Sequence, residues 1–511
     1  MWCMEKIIIF VWLLCIRTMI LSSVIEKKHN TCHLPKSLIK EIDSYAPIVK
    51  SIIHEATKGS FKGNTWQDLA NFVDKFGPRF SGTQTLEDAI DYVLNKSTSL
   101  GLDNVHGEPA IIPRWVRGSE SATLLKPRQK NLALLGLGFS VGTPEEGITA
   151  NAVVVDSFAE LKERAKEVPG KIVVYNEKFV SYEKTVAYRS SGATKAAELG
   201  AVAVLIRSVT PYSLYTPHTG VMNYGENVTK IPAACITIED ASLLRRMADR
   251  GNGKKVFLIF DNSDVCNTIN YKLLFLIFFY LGDEIVINLK MEAKRYNDTQ
   301  SRNVVADISG LVNPEKAVVV SGHIDSWDVG QGAMDDGGGS FISWNALKLL
   351  KHLNIQARRT IRMIMWTCEE LGIYGAHQYI QSHTAQNENL QFVMESDMGT
   401  FFPKGLQFTG NKLVKCILQR IMLLLAPLGH MKLKSPCEGP DIDSWIKAGV
   451  PGASLWTKNE KYFYYHHTNA DTMLVENPEA LDMNTAIFAA VSYVLADISV
   501  DLPRHNYTEL S

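Results

Sequence analysis

The feature that most restricts this chain is a rhythm that begins near residue 300. Short unbroken apolar runs recur, with helical stretches between them. Positions 317–320 (AVVV) are apolar throughout, as a strand buried on both faces is. Positions 341–352 read as a helix and 360–367 (TIRMIMWT) as a second strand. A third strand is expected at 391–394 and a fourth at 453–456, after Pro451-Gly452. This alternation predicts an α/β architecture with a mainly parallel central sheet flanked by helices. In such sheets ligands bind beyond the carboxyl ends of the strands. Residues that carry chemistry are therefore expected just past each apolar run.

They fall there. His323 and Asp325 follow the first run, and Asp335-Asp336 with a run of three glycines follow the next turn. Glu369-Glu370 follow the second run, Asp397 the third, and His466-His467 with Asp471 lie beyond the fourth. Imidazoles and carboxylates gathered at one rim suit zinc, with cobalt or manganese as alternatives. Neighbouring residues at a strand end point in different directions, so Glu369 and Glu370 need not share a task. Spacing alone does not choose between His466 and His467. Asp441 and Asp443, in GPDIDSW, read equally as pocket-lining or helix-capping residues, and Cys368 as a buried thiol.

The motifs GHIDSWDVGQGAMDDGGG, WTCEELG, MESDMGT, GVPGASL and HHTNADT, with GPRFSGT upstream, resemble the zinc-dependent exopeptidases of family M28. The resemblance spans most of the chain. It implies a sheet sandwiched by helices and, near 149–255, the protease-associated module that some members insert. It implies two Zn2+ ions per chain: one on His323 and Asp397, the other on Glu370 and His467, with Asp335 bridging both. The family pattern sets a ligand immediately before Thr, which favours His467 over His466. Glu369 would be the general base, passing a proton from water to the leaving amine. Asp325 would stand behind His323 and hold its imidazole. A pair of zinc ions about 3.5–4 Å apart would lower the pKa of a bridging water and polarise the scissile carbonyl. Small peptides with free ends, dipeptides above all, are the implied substrates, and a homodimer the implied assembly. Two rivals use the same scaffold: a receptor-like protein that has lost its ligands, and a glutaminyl-cyclase-like acyl transferase with one zinc. All five ligands and the base are present, which argues against the first; a metal count near one would favour the second.

The N-terminus bears on compartment. Positions 7–16 are unbroken apolar, shorter than the roughly 20 residues a membrane-spanning helix needs. With Arg17 and the small Ser22 and Ser23 after it, this reads as a signal peptide over 1–23. Sequons at Asn95, Asn227, Asn297 and Asn506 fit a glycosylated protein, secreted or held in a lysosomal or secretory lumen. The six cysteines beyond the signal peptide form no CxxC pair, and spacing does not say whether any are bridged. A formal net charge of −1 gives no case for nucleic-acid binding. With 46% hydrophobic and 21% charged residues, the chain is neither mainly disordered nor multi-spanning, and no stable membrane span is expected. His54-Glu55 begins an HExxH zinc motif, but position 58 is Lys.

The expected domain division is 34–148 for N-terminal helices and the first part of the catalytic domain, 149–255 for the inserted module, and 285–500 for the catalytic metallopeptidase domain. The module is read as strands at 152–155, 171–175 and 201–206, with a short helix at 193–199. Positions 256–284 form an atypical apolar insert where the resembling family passes directly from helix to strand. Its nine-residue apolar stretch at 273–281 is too short to span a membrane. A retained non-coding segment or a lineage-specific insertion accounts for it, and the transcript sequence decides between them.

Overall fold

The computed structural model describes residues 32–251, 284–385 and 389–504. The signal peptide, Asn506 and nearly all of the apolar insert lie outside the described residues.

Four helices open the described chain: Lys36–Ser44, Ala46–Thr57, Asn64–Phe76 and Gln84–Ser99. The first sheet has eight strands in the order Asp103–Val116, Lys294–Ile308, Arg359–Trp366, Asn313–His323, Asn389–Glu395, Gly452–Thr457, Pro403–Thr409 and Lys432–Lys434. The pairings from Arg359–Trp366 through Asn313–His323 and Asn389–Glu395 to Gly452–Thr457 are parallel. The flanking pairings are antiparallel, except that Pro403–Thr409 and Lys432–Lys434 pair in parallel at one edge. The expected α/β sheet is present, and the four expected strands are its parallel centre.

The sheet is buried on both sides by alternation along each strand. Val318 and Val320 join the larger core, Ala317 and Val319 the smaller one behind. Met363 and Met365 face one way, Ile364 and Trp366 the other. The larger core takes the N-terminal helices with Gly338–His352, Lys412–Leu424 and Pro478–Asp497; the smaller takes Tyr374–Ala385 and Asp443–Lys447. Central strands that must satisfy apolar neighbours on both faces carry no polar alternation, which is why they read as continuous runs.

A second eight-stranded sheet lies between residues 120 and 291. Its centre, Ile148–Val155, Ile172–Tyr175, Ala203–Arg207 and Ala233–Ile236, is parallel and falls within the stretch expected to be the module. It also takes in Glu120–Lys126, Lys130–Leu132 and Leu134–Gly136 from before that stretch, and Val286–Met291 from after it. The helix expected at 193–199 begins much earlier, as Tyr182–Ala197. Its Ser190-Ser191-Gly192 are weak helix formers, but Gly192 is fixed by packing: a Cβ there would lie 2.9 Å from the Tyr175 ring. The Tyr175 hydroxyl donates to the Gly192 carbonyl at 2.9 Å. A shared core joins the two sheets, with Phe80, Trp115 and Trp327 packed among residues of the second.

A disulfide links Cys32 to Cys416, tying the start of the described chain to helix Lys412–Leu424. Among the described residues, no helix is long and apolar enough to cross a membrane. Asn95, Asn227 and Asn297 are exposed.

Candidate metal centre

The register of the parallel strands brings their ends level. His323 pairs with Trp366, and Ser321 with Glu395. Glu369-Glu370 and Asp397 therefore emerge beside His323. Asp335 reaches the same point from a tight turn, Ala333–Gly337, that leads into helix Gly338–His352.

That turn is held from three directions. Asp471 accepts the backbone N–H groups of Ala333, Met334 and Asp335 at 3.1, 2.8 and 3.1 Å. Asp336 accepts from His323 N at 3.0 Å and Gly339 N at 3.1 Å. Beneath the turn the buried Arg79 donates to the carbonyls of Gly77, Ile324, Gln331 and Gly332. At Gly339 a side chain has no room, because a Cβ would overlap the Ser396 carbonyl and the Asp336 carboxylate. Asp335 and Asp336 thus divide the work: the first faces the site and the second fixes the backbone. Burial pushes the Asp336 carboxyl well above its ordinary range.

His323 Nε2 lies 3.3 Å from Asp335 Oδ1 and 3.3 Å from Asp397 Oδ1. His467 Nε2 lies 2.9 Å from Glu370 Oε2 and 3.3 Å from Asp335 Oδ2. His466 Nε2 is farther from Asp335, at 3.6 Å, and its ring stacks on His467 with centroids 3.5 Å apart. All seven site residues expected from the sequence, from His323 to His467, gather around this point. Donor atoms of His323, Asp335 and Asp397 lie within 4.8 Å of one another, as do those of Asp335, His466 and His467. These are buried nitrogen and oxygen donors of the kind zinc takes.

The protonation pattern tests whether a cation fits. His323 Nδ1 lies 3.0 Å from the Asp325 carbonyl, and His467 Nδ1 lies 3.2 Å from the Thr219 carbonyl. A carbonyl only accepts, so each Nδ1 carries the hydrogen in the neutral ring, and each Nε2 presents a lone pair. Both lone pairs face carboxylate oxygens. His323 Nε2, Asp335 Oδ2 and Glu370 Oε1 are buried without a hydrogen-bond partner. Acceptors facing acceptors in a buried site are reconciled by a cation between them.

The titration directions describe the same imbalance. Burial, and then the nearby carboxylates, push Glu369 and Glu370 well above the ordinary range. His323 is held well above its ordinary value: burial opposes this, and Asp325, Asp335 and Asp397 outweigh it, so without an ion a proton on Nε2 takes the place of the cation. Burial, then the neighbouring charges of His466 and Arg189, push His467 well down, so its ring is neutral. Glu369 and Glu370 also differ in access. The Glu369 side chain keeps 17% exposure and lies 4.0 Å from His323 Nε2, whereas Glu370 is 2% exposed.

Asp325 stands behind His323, as expected, but meets it most closely through a different atom. Its main-chain carbonyl, not its carboxylate, holds His323; the carboxylate Oδ1 is 3.6 Å from Nδ1. That carboxylate instead accepts from Ser81 Oγ at 2.8 Å, Glu369 N at 3.0 Å and Glu370 N at 3.4 Å. It fixes the backbone of the Glu369-Glu370 pair, because three donors converge on it and satisfy its charge. Asp443 begins helix Asp443–Lys447, while Asp441 is buried with both carboxylate oxygens unpartnered beside Glu395. Cys368 is buried, as expected. Sequence reasoning missed the structural parts of Arg79, Ser81, Asp336 and Thr219. GPRFSGT marks the first two, but only the fold shows what they touch.

The comparisons agree with this geometry. A sequence profile described as Peptidase family M28 matches residues 303–492. Carboxypeptidase Q of Homo sapiens is 49% identical over 465 residues, covering 91% of this chain and 92% of its own. Carboxypeptidase Q of Xenopus laevis is 50% identical over 464 residues, with the same coverage. The crystal structure of a peptidase M28 precursor from Shewanella amazonensis superposes with a TM-score of 0.80 at 32% identity, covering 91% of this chain and 99% of that one. BSAP, a zinc aminopeptidase from Bacillus subtilis, shares the fold, with a TM-score of 0.62 at 19% identity over 88% of this chain and 98% of its own. The chain, with its buried His/Asp metal-binding site, belongs to peptidase family M28.

Proposed function

We propose that the chain is a two-zinc exopeptidase of the secretory pathway that hydrolyses dipeptides or removes terminal residues from small peptides. One observation carries this reading: two imidazoles, each with Nδ1 spent on a main-chain carbonyl, turn Nε2 lone pairs onto a shared carboxylate, Asp335. In this assignment His323 and Asp397 would hold one ion and Glu370 and His467 the other, with Asp335 shared between them. When bound, the ions supply an acidified water and a polarised scissile carbonyl. Glu369, the more exposed of the paired glutamates, takes a proton from the water on its carboxylate and delivers it to the leaving amine. Asp325 fixes the backbone of both glutamates, so the base and the ligand keep their separate directions.

The relatives named carboxypeptidase Q support a peptidase acting at a carboxyl end. The Cys32–Cys416 disulfide and the exposed sequons at Asn95, Asn227 and Asn297 support an oxidising lumen. The stretch 149–255 is read as the centre of the inserted module, and the flanking strands of the second sheet are assigned to it from the expected 34–148 and 285–500 stretches. A homodimer completes the reading and rests on the family resemblance. The test is a dipeptide panel, with and without chelator, run beside a metal count. Two ions per chain and chelator-sensitive release of amino acid are expected. One ion with cyclisation would instead indicate an acyl transferase, and binding without turnover a receptor.

A further inference from the structure

Two parts of the second-sheet region reach the metal centre: helix Tyr182–Ala197, whose Tyr182 ring packs on His466 with centroids 5.4 Å apart, and a segment that hydrogen-bonds to the backbone of both histidines. After strand Ala203–Arg207 the chain loops out and returns past His218 and Thr219, which lie directly against His466 and His467. Thr219 N donates to the His467 carbonyl at 3.0 Å, and the Thr219 carbonyl receives His467 Nδ1 at 3.2 Å. His218 Nδ1 lies 2.8 Å from the His466 carbonyl, so it donates there. The segment is itself anchored in its own sheet: His218 N donates to Ser208 Oγ at 2.9 Å, and Ser208 Oγ donates to the Ile236 carbonyl at 2.8 Å.

His467 needs such support. Its φ is +61°, a left-handed conformation that a non-glycine residue keeps only where its surroundings hold it. The backbone on both sides of that strained residue is gripped by the inserted module, and so is the ring's Nδ1. Among the described residues no comparable hydrogen bond from the module reaches His323, whose Nδ1 is held by Asp325 of the same strand-end loop.

We infer that the inserted module is an outer support for one metal position only, with His218 as a positioning residue that sets the His467 lone pair through the His466 carbonyl. This rests on the two-zinc reading proposed above. Loss of partners that orient a ligating histidine typically weakens metal binding about 10–100-fold.

The test uses the full-length holoenzyme and three forms: wild type, His218→Phe, which keeps ring bulk and removes the donor, and His218→Asn, whose side-chain amide restores a donor. Each is equilibrated with the weakest chelator buffer series that leaves wild type with two zinc ions, and ions per chain are counted by native mass spectrometry. His218→Phe is expected to retain one ion across about a 10–100-fold range of free zinc in which wild type and His218→Asn retain two. Circular dichroism of the same samples, unchanged from wild type, is expected alongside. A His218→Phe protein that keeps both ions, loses both together, or is not rescued by Asn overturns the inference. A wild type that never holds more than one ion overturns the two-zinc reading itself, and is recognised before any variant is compared.

Discussion

The two halves of the metal centre are built differently. The His323 half is local: His323, Asp325 and Asp397 all stand at ends of adjacent parallel strands, and the register that levels those strands also sets their side chains together. The His467 half is assembled at long range. His467 sits in a left-handed turn beyond the last central strand, and its ring is fixed by a carbonyl 248 positions earlier in the chain, beside another sheet. A strand end is a rigid place to put a ligand. A loop residue needs outside support, and here hydrogen bonds from Thr219, in the segment after strand Ala203–Arg207 of the second sheet, supply it.

Asp335 is where the halves meet, with Oδ1 toward His323 and Oδ2 toward His467. Asp335→Ala is therefore expected to have the largest effect, with both ions lost and activity abolished. Mass spectrometry of metal content checks it, and retention of one ion would mean that the halves do not share this residue. Glu369 belongs to neither half. Glu369→Gln is expected to lower kcat about 10²–10⁴-fold while both ions stay bound. Steady-state kinetics beside a metal count separates this from a ligand defect, which would remove metal along with activity.

How much of the site is legible in the sequence follows the same division. The His323 half can be read because a continuous apolar run followed by His, Asp or Glu is a local pattern. The sheet then does what parallel sheets do. The His467 half is reached only through family resemblance, since nothing near His466-His467 says which ring turns inward. The deciding contact, Thr219, lies in a segment with no pattern of its own. Asp325 shows a subtler miss. Its position behind His323 is as expected, yet whether a carboxylate or a carbonyl meets an imidazole turns on small differences in distance, and Ser81 and two backbone N–H groups draw the carboxylate away. The second sheet extends further than expected for a related reason: strands Glu120–Lys126 and Val286–Met291, from before and after the expected module, join it through long-range pairing.

Asp325 offers a way to sharpen the comparison. Its carbonyl holds His323 while its carboxylate holds the backbone of Glu370, a residue of the other half, so it couples the two. Asp325→Ala leaves Ser81 Oγ and the N–H groups of Glu369 and Glu370 without an acceptor. An unsatisfied buried donor costs about 1–3 kcal/mol, so a loss of about 3 kcal/mol or more in denaturant-unfolding stability is expected. A loss confined to activity, with stability unchanged, would show that Asp325 acts on chemistry and not on the backbone.

A pH-resolved comparison tests how the Asp397 loop is held. Thr400, three residues beyond Asp397, donates its hydroxyl to the buried Glu476 at 2.6–2.7 Å. Burial raises the Glu476 pKa from 4.5 to about 8, although the bond from Thr400 pulls the other way. A carboxyl with a raised folded-state pKa favours folding below its unfolded value and loses that contribution as pH climbs toward the folded value. Wild type should therefore lose stability from this site between about pH 4.5 and 8. Glu476→Gln keeps an acceptor for Thr400 but carries no proton to lose. The stability of the variant relative to wild type should be flat below pH 4.5, rise through that window and level off above about pH 8. Taking the difference between the two proteins cancels the titration of the metal-site carboxylates, which both share. A flat difference across the whole range would mean that Glu476 is charged in the folded protein and that the loop bearing Asp397 is held by an ionised partner.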